Sequence, residues 1–454
     1  MRAKRPMARG GRPAAQLPRV VEGQVVELAS GGDGVLRTEH GDVFCSGVFP
    51  GERVRLSGLR RRGKHVVAQG AQVLQPSPDR VDAPCEHAAA CGGCAWMSLA
   101  PGAQRAARKE LIERALSNAR LTPEHPVELD ETAAERTLGY RSRARMHFDK
   151  GVLGYRAAGS RALVAIDRCV VQAPEIAAAA AALGDALRAS SPAGTGVCMD
   201  VHLGTGAHGV VAELRSEDAL PPELYGMLEA LVAAGTLEGV GVLAGGATCH
   251  AIFGDPSEVS PGVSEAAGTS GGSGAAAGET SLRVPLGGFS QANPWVNAAL
   301  VATVVDWIDA SGQATLELYS GSGNLSVALA AAGAELTSVE READATALAA
   351  ANLAARGLSA KAHHRDVSES PRQRFTRVVL DPPREGAADA VERILGIHRP
   401  ERVVYVSCDP RTLARDLAHL VAGGYRLERV RGFDMFPHTP HVETVALLVR
   451  LAPA

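Results

Sequence analysis

Hydrophobic and polar positions alternate along this chain in two rhythms. Over residues 20–75 the alternation is short and broken by glycine, in VVEGQVVELA, GVLRTE, GDVFCSGV, ERVRLSGL and HVVAQGAQVL. Several short period-two runs at this spacing predict a small OB-like β-barrel, an architecture suited to oligonucleotides. Residues 101–120, PGAQRAARKELIERALSNAR, carry the other rhythm. Leu111, Ile112, Ala115 and Leu116 recur at helical spacing and predict an amphipathic helix. YRSRARMHFDKGVLGYRAAGSRALVAIDRC returns to strand alternation, a hairpin on which Arg141, Arg143 and Arg145 share one face. Residues 174–250 read as Ala-rich helices and strands.

From about 285 the rhythms alternate. ATLELY, ELTSVE, TRVVLDPP, RVVYVSCDP and TVALLVRL read as strands, with NLSVALAAAG and EADATALAAANLAARG, the latter closed by Gly357, as helices between them. That order predicts a doubly wound α/β domain. Two stretches punctuate the chain. QPSPDRVDAP is a proline-rich connector, and residues 255–281, DPSEVSPGVSEAAGTSGGSGAAAGETS, read as a flexible low-complexity loop. The expected division is a basic disordered tail over 1–17, the barrel over 18–76, a central α+β domain over 77–284 and the α/β domain over 285–454.

The length of 454 residues allows this multidomain plan, at about 150 residues per domain. No apolar run approaches the roughly 18 residues of a membrane span. The basic N-terminus lacks the apolar core of a secretory signal, so a cytoplasmic protein is expected. Net charge is only −3, but it is unevenly spread. Residues 1–75 hold 13 Lys and Arg against 6 acids, and 136–168 hold 8 against 2, whereas 171–290 hold 3 against 13. A basic front half implies a polyanionic partner. Arg60, Arg61, Arg62 and Lys64 would sit on the barrel, and the arginine face of the hairpin suits a phosphate backbone. Aromatics at 4% exclude extended base-stacking platforms.

The eight cysteines fall into a group and a remainder. Cys85, Cys91 and Cys94 form C-x5-C-G-G-C, with two glycines that let sulfurs and amides converge. Three thiolates leave a tetrahedral site one ligand short, and Cys169 is the best candidate for the fourth. All-thiolate ligation suits zinc or an iron–sulfur cluster. With no open metal position, the site reads as structural. A radical enzyme would show C-x3-C-x2-C. Cys45, Cys198 and Cys249 read as small buried hydrophobes.

Four constellations in the last domain carry chemistry. Tyr319-Ser320-Gly321-Ser322-Gly323-Asn324 follows a strand but lacks the third glycine of a dinucleotide fingerprint and the Lys-Ser/Thr of a Walker loop. Glu340 ends the next strand, where an acid binds ribose hydroxyls. S-adenosylmethionine, with a ribose and no phosphate, fits that pair. Asp381-Pro382-Pro383-Arg384 ends another strand, with Arg384 where amino-methylating enzymes carry an aromatic residue. Cys408 stands on a strand-to-helix turn that can lower a thiol's pKa and present a nucleophile. Glu443 precedes the last strand and can act as a base, with His438 and His441 placed to orient it or to stabilise its loop.

In this order, the barrel, C-x5-C-G-G-C, F-S-Q, G-x-G-N, D-P-P-R, S-C-x-P and H-V-E resemble the iron–sulfur kind of RNA 5-methyluridine methyltransferase over nearly the whole chain. The resemblance implies a TRAM-type barrel, a central iron–sulfur domain and a Rossmann-like methyltransferase domain. It implies a 4Fe–4S cluster on Cys85, Cys91, Cys94 and Cys169, with Cys408 as nucleophile and Glu443 as base. It places S-adenosylmethionine against Gln291, Tyr319, Asn324, Glu340, Asp366 and Asp381. Tyr319 stands where the family usually has phenylalanine, and Asp409 where asparagine is common. The implied substrate is a flipped uridine in 23S rRNA or tRNA, with RNA as partner and no obligate protein partner. The other classes are methylation of another RNA atom or a protein, which Cys408→Ala would not abolish, and RNA binding without catalysis, against which Cys408, Asp381 and Glu443 argue and which absence of S-adenosylmethionine binding would revive.

Overall fold

A computed structural model describes residues 17–39, 41–134, 136–190, 197–245, 249–260 and 281–452. The expected tail over 1–17 lies almost wholly outside them. The chain divides into two compact units, one through Arg80 and one from Val81.

The first unit is all β. Its strands are β1 (Val20–Leu28), β2 (Gly34–Thr38), β3 (Gly41–Cys45), β4 (Arg53–Ser57), β5 (Arg60–Arg62), β6 (His65–Val67) and β7 (Gly70–Gln75). They pair in the order β5-β6-β3-β2-β1-β4-β7. β1 changes partner along its length. Val20–Gln24 pairs with β4, and after a bulge at Val26 the strand continues against β2. A bulged strand shared by two ladders turns a corner and wraps Val25, Leu36, Val43, Val54 and Leu56 into one core. β5 is exposed throughout, so Arg60, Arg61 and Arg62 face solvent.

The second unit has two large sheets. The first contains β9 (Ala144–Asp149), β10 (Val152–Arg156), β11 (Leu163–Ala165), β12 (Cys198–Thr205), β13 (Val210–Arg215), β14 (Gly239–Ala244) and β15 (Cys249–Gly254), in the order β11-β10-β9-β12-β13-β14-β15. α2 (Pro174–Ser190) and α3 (Pro222–Ala233) cover it through Ile176, Leu183, Leu187, Leu224 and Leu228.

The other sheet contains β18 (Ala314–Leu318), β19 (Glu335–Glu340), β20 (Lys361–His364), β21 (Arg377–Leu380), β22 (Arg402–Ser407), β23 (Tyr425–Phe433) and β24 (Glu443–Arg450). Its order is β20-β19-β18-β21-β22-β24-β23, with β8 (Glu128–Leu129) added beside β23. Strands β18 to β22 are mutually parallel, and β24 runs against β22. The flanking helices are α4 (Pro294–Ile308), α5 (Asn324–Ala331), α6 (Ala343–Ala354), α7 (Ala388–Arg393) and α8 (Pro410–Ala422). This is the doubly wound domain the pattern predicts. The strand order reverses between β18 and β21, and ligands of such sheets sit outside the carboxyl ends at that point.

The structure departs from the sequence reading in three places. The helix α1 (Pro101–Asn118) and β8 lie within residues assigned to the central domain, yet both join the C-terminal sheet. Ile112, Ala115 and Leu116 share a core with Leu316, Val378 and Leu417, because the sheet's open face needs an apolar cover. Part of the expected loop over 255–281 is strand. β16 (Glu258–Ser260) pairs with β17 (Leu282–Val284), while 261–280 lie outside the described residues. Cys198 is exposed, not buried. No described helix is long and apolar enough to cross a membrane.

Candidate active site

Five consecutive parallel strands deliver one chemical residue each to the carboxyl edge. Tyr319 follows β18, Glu340 ends β19, Asp366 lies two residues past β20, Asp381 follows β21 and Cys408 follows β22. The ladders align these ends, with Leu318 opposite Val339 and Leu380, and Glu340 opposite His364. β24 brings in the sixth group from the opposite direction. Ser407 pairs with Thr444, so the next residues out, Cys408 and Glu443, meet at the same edge. No sequence spacing links those two; the antiparallel register does.

The loop after β18 has a special backbone. Tyr319 has φ 62°, a left-handed value costly for a side chain this large, and Gly321 and Gly323 follow at 54° and 94°. Such strain persists where the surroundings impose it, and it is common at ligand clamps. Glu340 closes the loop from below, accepting from the amides of Gly321 at 2.9 Å and Glu342 at 2.8 Å. Asn324 opens α5 and exchanges two 2.9 Å amide bonds with Asn297 of α4. Asp366 caps a short turn by accepting from Ser368 N and Oγ. Those bonds to the charged form hold its pKa below the usual value. Gln291 is buried just before α4.

Charge at this edge is strongly perturbed. Burial lifts Asp381 to about 7. Glu443 rises to about 8, by burial first and the Asp381 charge second, against the pull of Arg384. Glu317, wholly buried on β18 beneath them and hydrogen-bonded by Ser326, also rises to about 8, mainly by burial. Cys408 is pushed up to about 11 by burial and then by Glu443. The expectation that its turn lowers the thiol's pKa is therefore not met. Asp409 takes the amides of Arg411 and Thr412 at the start of α8, so the helix terminus solvates that carboxylate instead. The group that does favour the Cys408 thiolate is Arg384, which donates a hydrogen bond to it. Sequence reading took Arg384 only as a missing aromatic. Asp416 was also missed. It lies buried on α8, accepts from Ala387 N and Tyr405 Oη, and so fixes the loop carrying Arg384.

His438 and His441 stabilise the loop before Glu443. Burial lowers both to about 4, so both are neutral. His438 lies against Gln104, and His441 packs edge-on to Phe436.

The four predicted thiols form a second cluster in the same unit. Cys85, Cys91, Cys94 and Cys169 line one small cavity with Met97, Tyr155, Ile166 and Val171. Among the described residues, no three metal-ligating side chains converge closely enough to hold a single ion. The space the four thiols line is small and partly open to solvent. Backbone amides point at the sulfurs, His87 and Ala88 at Cys85 and Gly93 at Cys91. Burial pushes Cys94 up to about 12.

The arginine face of the hairpin is largely spent inside the protein. Arg143 is paired with buried Glu258 at 2.8 Å and donates to the carbonyls of Gly288 and Ser290. Arg141 stacks over Tyr140 and Phe436. Only Arg145 of the three is exposed. For Arg143 the reason is the strand β16, whose Glu258 the sequence pattern had placed in a loop.

Comparison with known proteins sets this edge in a family. Residues 365–451 match the tRNA (Uracil-5-)-methyltransferase family model, and 281–396 match the Methyltransferase small domain. A 23S rRNA (uracil(1939)-C(5))-methyltransferase of Nitrosococcus oceani is 32% identical over 96% of this chain and 97% of its own. The enzyme of that name from Pseudomonas entomophila is 34% identical over 96% of both. The chain belongs to the RNA 5-methyluridine (uracil-C5) methyltransferase family. A solved family structure, the Pyrococcus abyssi tRNA (uracil-54, C5)-methyltransferase in complex with S-adenosyl-L-homocysteine, shares the fold with a TM-score of 0.74 at 22% identity. That match covers 94% of this chain and 100% of the archaeal one.

Proposed function

We propose that this chain is a cytoplasmic enzyme that methylates C5 of one uridine in 23S rRNA, through a covalent adduct between Cys408 and C6. The meeting of Cys408 and Glu443 beside Asp381 carries this reading. The full-length relatives named for 23S rRNA favour that RNA over tRNA.

C5 of uracil is too weak a nucleophile to attack a methyl sulfonium unaided. The Cys408 thiolate adds to C6, and the ring electrons pass to O4 and C5. S-adenosylmethionine supplies the methyl group when bound, against Gln291, Tyr319, Asn324, Glu340, Asp366 and Asp381. Glu443 then takes the C5 proton. The C5–H pair becomes the C5–C6 double bond as the C6–S bond breaks, returning Cys408 as thiolate. Cysteine suits the role because it both adds and leaves. The raised pKa values fit this chemistry. A bound sulfonium cation would favour the charged forms of Asp381, Glu443 and Cys408, so cosubstrate binding itself would arm the site. The uridine must leave its stack to reach Cys408. Arg60, Arg61, Arg62 and Arg145 supply exposed charge for the phosphates, and the N-terminal unit serves as a TRAM-type barrel.

The four-thiol ring is read as a 4Fe–4S site. Its donors are all sulfur, and its amides aim at those sulfurs. Bound there, the cluster cross-links the segments around Cys85–Cys94 and Cys169. Iron and acid-labile sulfide in anaerobically purified protein test this.

Tritium release from C5-labelled uridine tests the activity, with ribosomal and transfer RNA assayed separately. Release from ribosomal RNA that is abolished by Cys408→Ala is the expected result. No release from either RNA with S-adenosylmethionine bound overturns the assignment.

A further inference from the structure

Residues 434–442 join β23 to β24 and end one position before Glu443. Two side chains of α1 hold this loop from inside. Arg108 is 1% exposed and sits at its centre. Its Nη1 donates to Asp434 Oδ2 at 3.0 Å, its Nη2 to Thr439 O at 2.7 Å and Phe436 O at 3.3 Å, and its Nε to His441 O at 3.2 Å. Gln104 lies one turn earlier on the same face. Its Oε1 accepts from His438 N at 2.8 Å, and its Nε2 lies 3.1 Å from His438 Nδ1 and 2.7 Å from Leu99 O. Trp96, two residues past Cys94, adds a 2.9 Å bond from its amide to His438 O. Tyr140 Oη donates to Pro437 O at 3.2 Å. Under this clamp His438 keeps φ 67°, a left-handed value its surroundings must impose.

A buried guanidinium is a costly way to fill space, and an apolar side chain would cover the sheet as well. What Arg108 adds is direction. One planar group fixes four points of the loop, up to the residue two before Glu443. Cys408 is carried by β22 and α8, outside the clamp.

We propose that Arg108 and Gln104 are positioning residues for proton removal, setting Glu443 against C5 of the methylated adduct without touching substrate. This rests on the reading of Cys408 as nucleophile and Glu443 as base. The two steps can be separated in a single-turnover assay, with the protein–RNA adduct resolved on a denaturing gel and C5 tritium release counted in parallel. In Arg108→Met the adduct forms at close to the parent rate while tritium release slows by about tenfold to a hundredfold, the scale of a slightly misplaced catalytic group. The adduct therefore accumulates. Arg108→Lys, which keeps the charge and part of the donor set, recovers some of the loss. Equal slowing of both steps, or no change in either, overturns the proposal. Should Arg108→Met fail to fold, Gln104→Met decides the same comparison, since it strands no buried charge. Two controls keep the readings apart. Cys408→Ala must form no adduct, and Glu443→Gln must trap it. If either control fails, the catalytic reading falls; if both hold and the α1 variants behave as the parent, the brace alone falls.

Discussion

Cys94 and Cys408 are the same residue in the same unit, and their surroundings give them different work. Cys94 lies in an apolar ring among three other thiols, close to Arg141, and burial drives its pKa to about 12. Its burial disfavours the thiolate, and the proposed cluster would supply the cation that stabilises it. Cys408 is lifted to about 11, but among groups that titrate and donate: Arg384, Glu443 and Asp381. Its ionisation can respond to a cationic cosubstrate and its proton has somewhere to go. A cysteine's chemistry is thus set by which charges can reach it.

The same substitution at both places sharpens the contrast. Cys408→Ser lowers methyl transfer by at least about a thousandfold, since a serine hydroxyl neither adds nor leaves as a thiol does. Its thermal unfolding stays within about a degree of the parent, because a half-buried edge position loses little packing. Cys94→Ser does the reverse. Bound iron is lost and the melting temperature drops by several degrees, in line with the coupling of metal binding to folding. Parent-like iron content in Cys94→Ser would break the comparison.

Asp381→Asn probes the electrostatic half of the contrast. On the proposed reading the carboxylate contacts the sulfonium cation, so binding of S-adenosylmethionine, measured calorimetrically, weakens by about tenfold. In the parent that binding tightens as pH rises through about 7, where Asp381 ionises. In Asp381→Asn this rise is blunted.

The smallest effect concerns Glu317, a carboxyl with the same raised pKa but no place at the edge. Its folded pKa of about 8 lies above the ordinary 4.5. The folded state therefore holds a proton that the unfolded chain has released, and stability falls as pH rises from about 4.5 to 8. Glu317→Gln flattens this dependence of the ligand-free melting temperature while leaving the kcat for tritium release within about twofold.

Much of this protein was readable in its residues. The switch from period two to alternating strands and helices gave both sheet classes, because side-chain periodicity is a local property. C-x5-C-G-G-C located three of the four thiols, and residues at strand ends such as Glu340 and Asp381 stood out because α/β ligands gather there. Other features depended on contacts between distant segments. Arg141, Arg143 and Arg145 alternate as a phosphate-binding face would, yet β16 brings Glu258 under Arg143 and turns it inward. Arg384 lost an aromatic's role in the motif and gained one at Cys408. Arg108 lies on what reads as the edge of a simple apolar face, 326 positions before the Asp434 it bonds.

The sequence by itself determined, through local periodicity and residue chemistry, most elements, their order and the inventory of reactive groups, though not short strands such as β16. Only the tertiary structure decided which groups act together. The antiparallel register of β24 against β22 joins Cys408 to Glu443, and burial at that edge raises two carboxyls and a thiol. Register and desolvation are properties of packed neighbours, and neighbours in space are not written as neighbours along the chain.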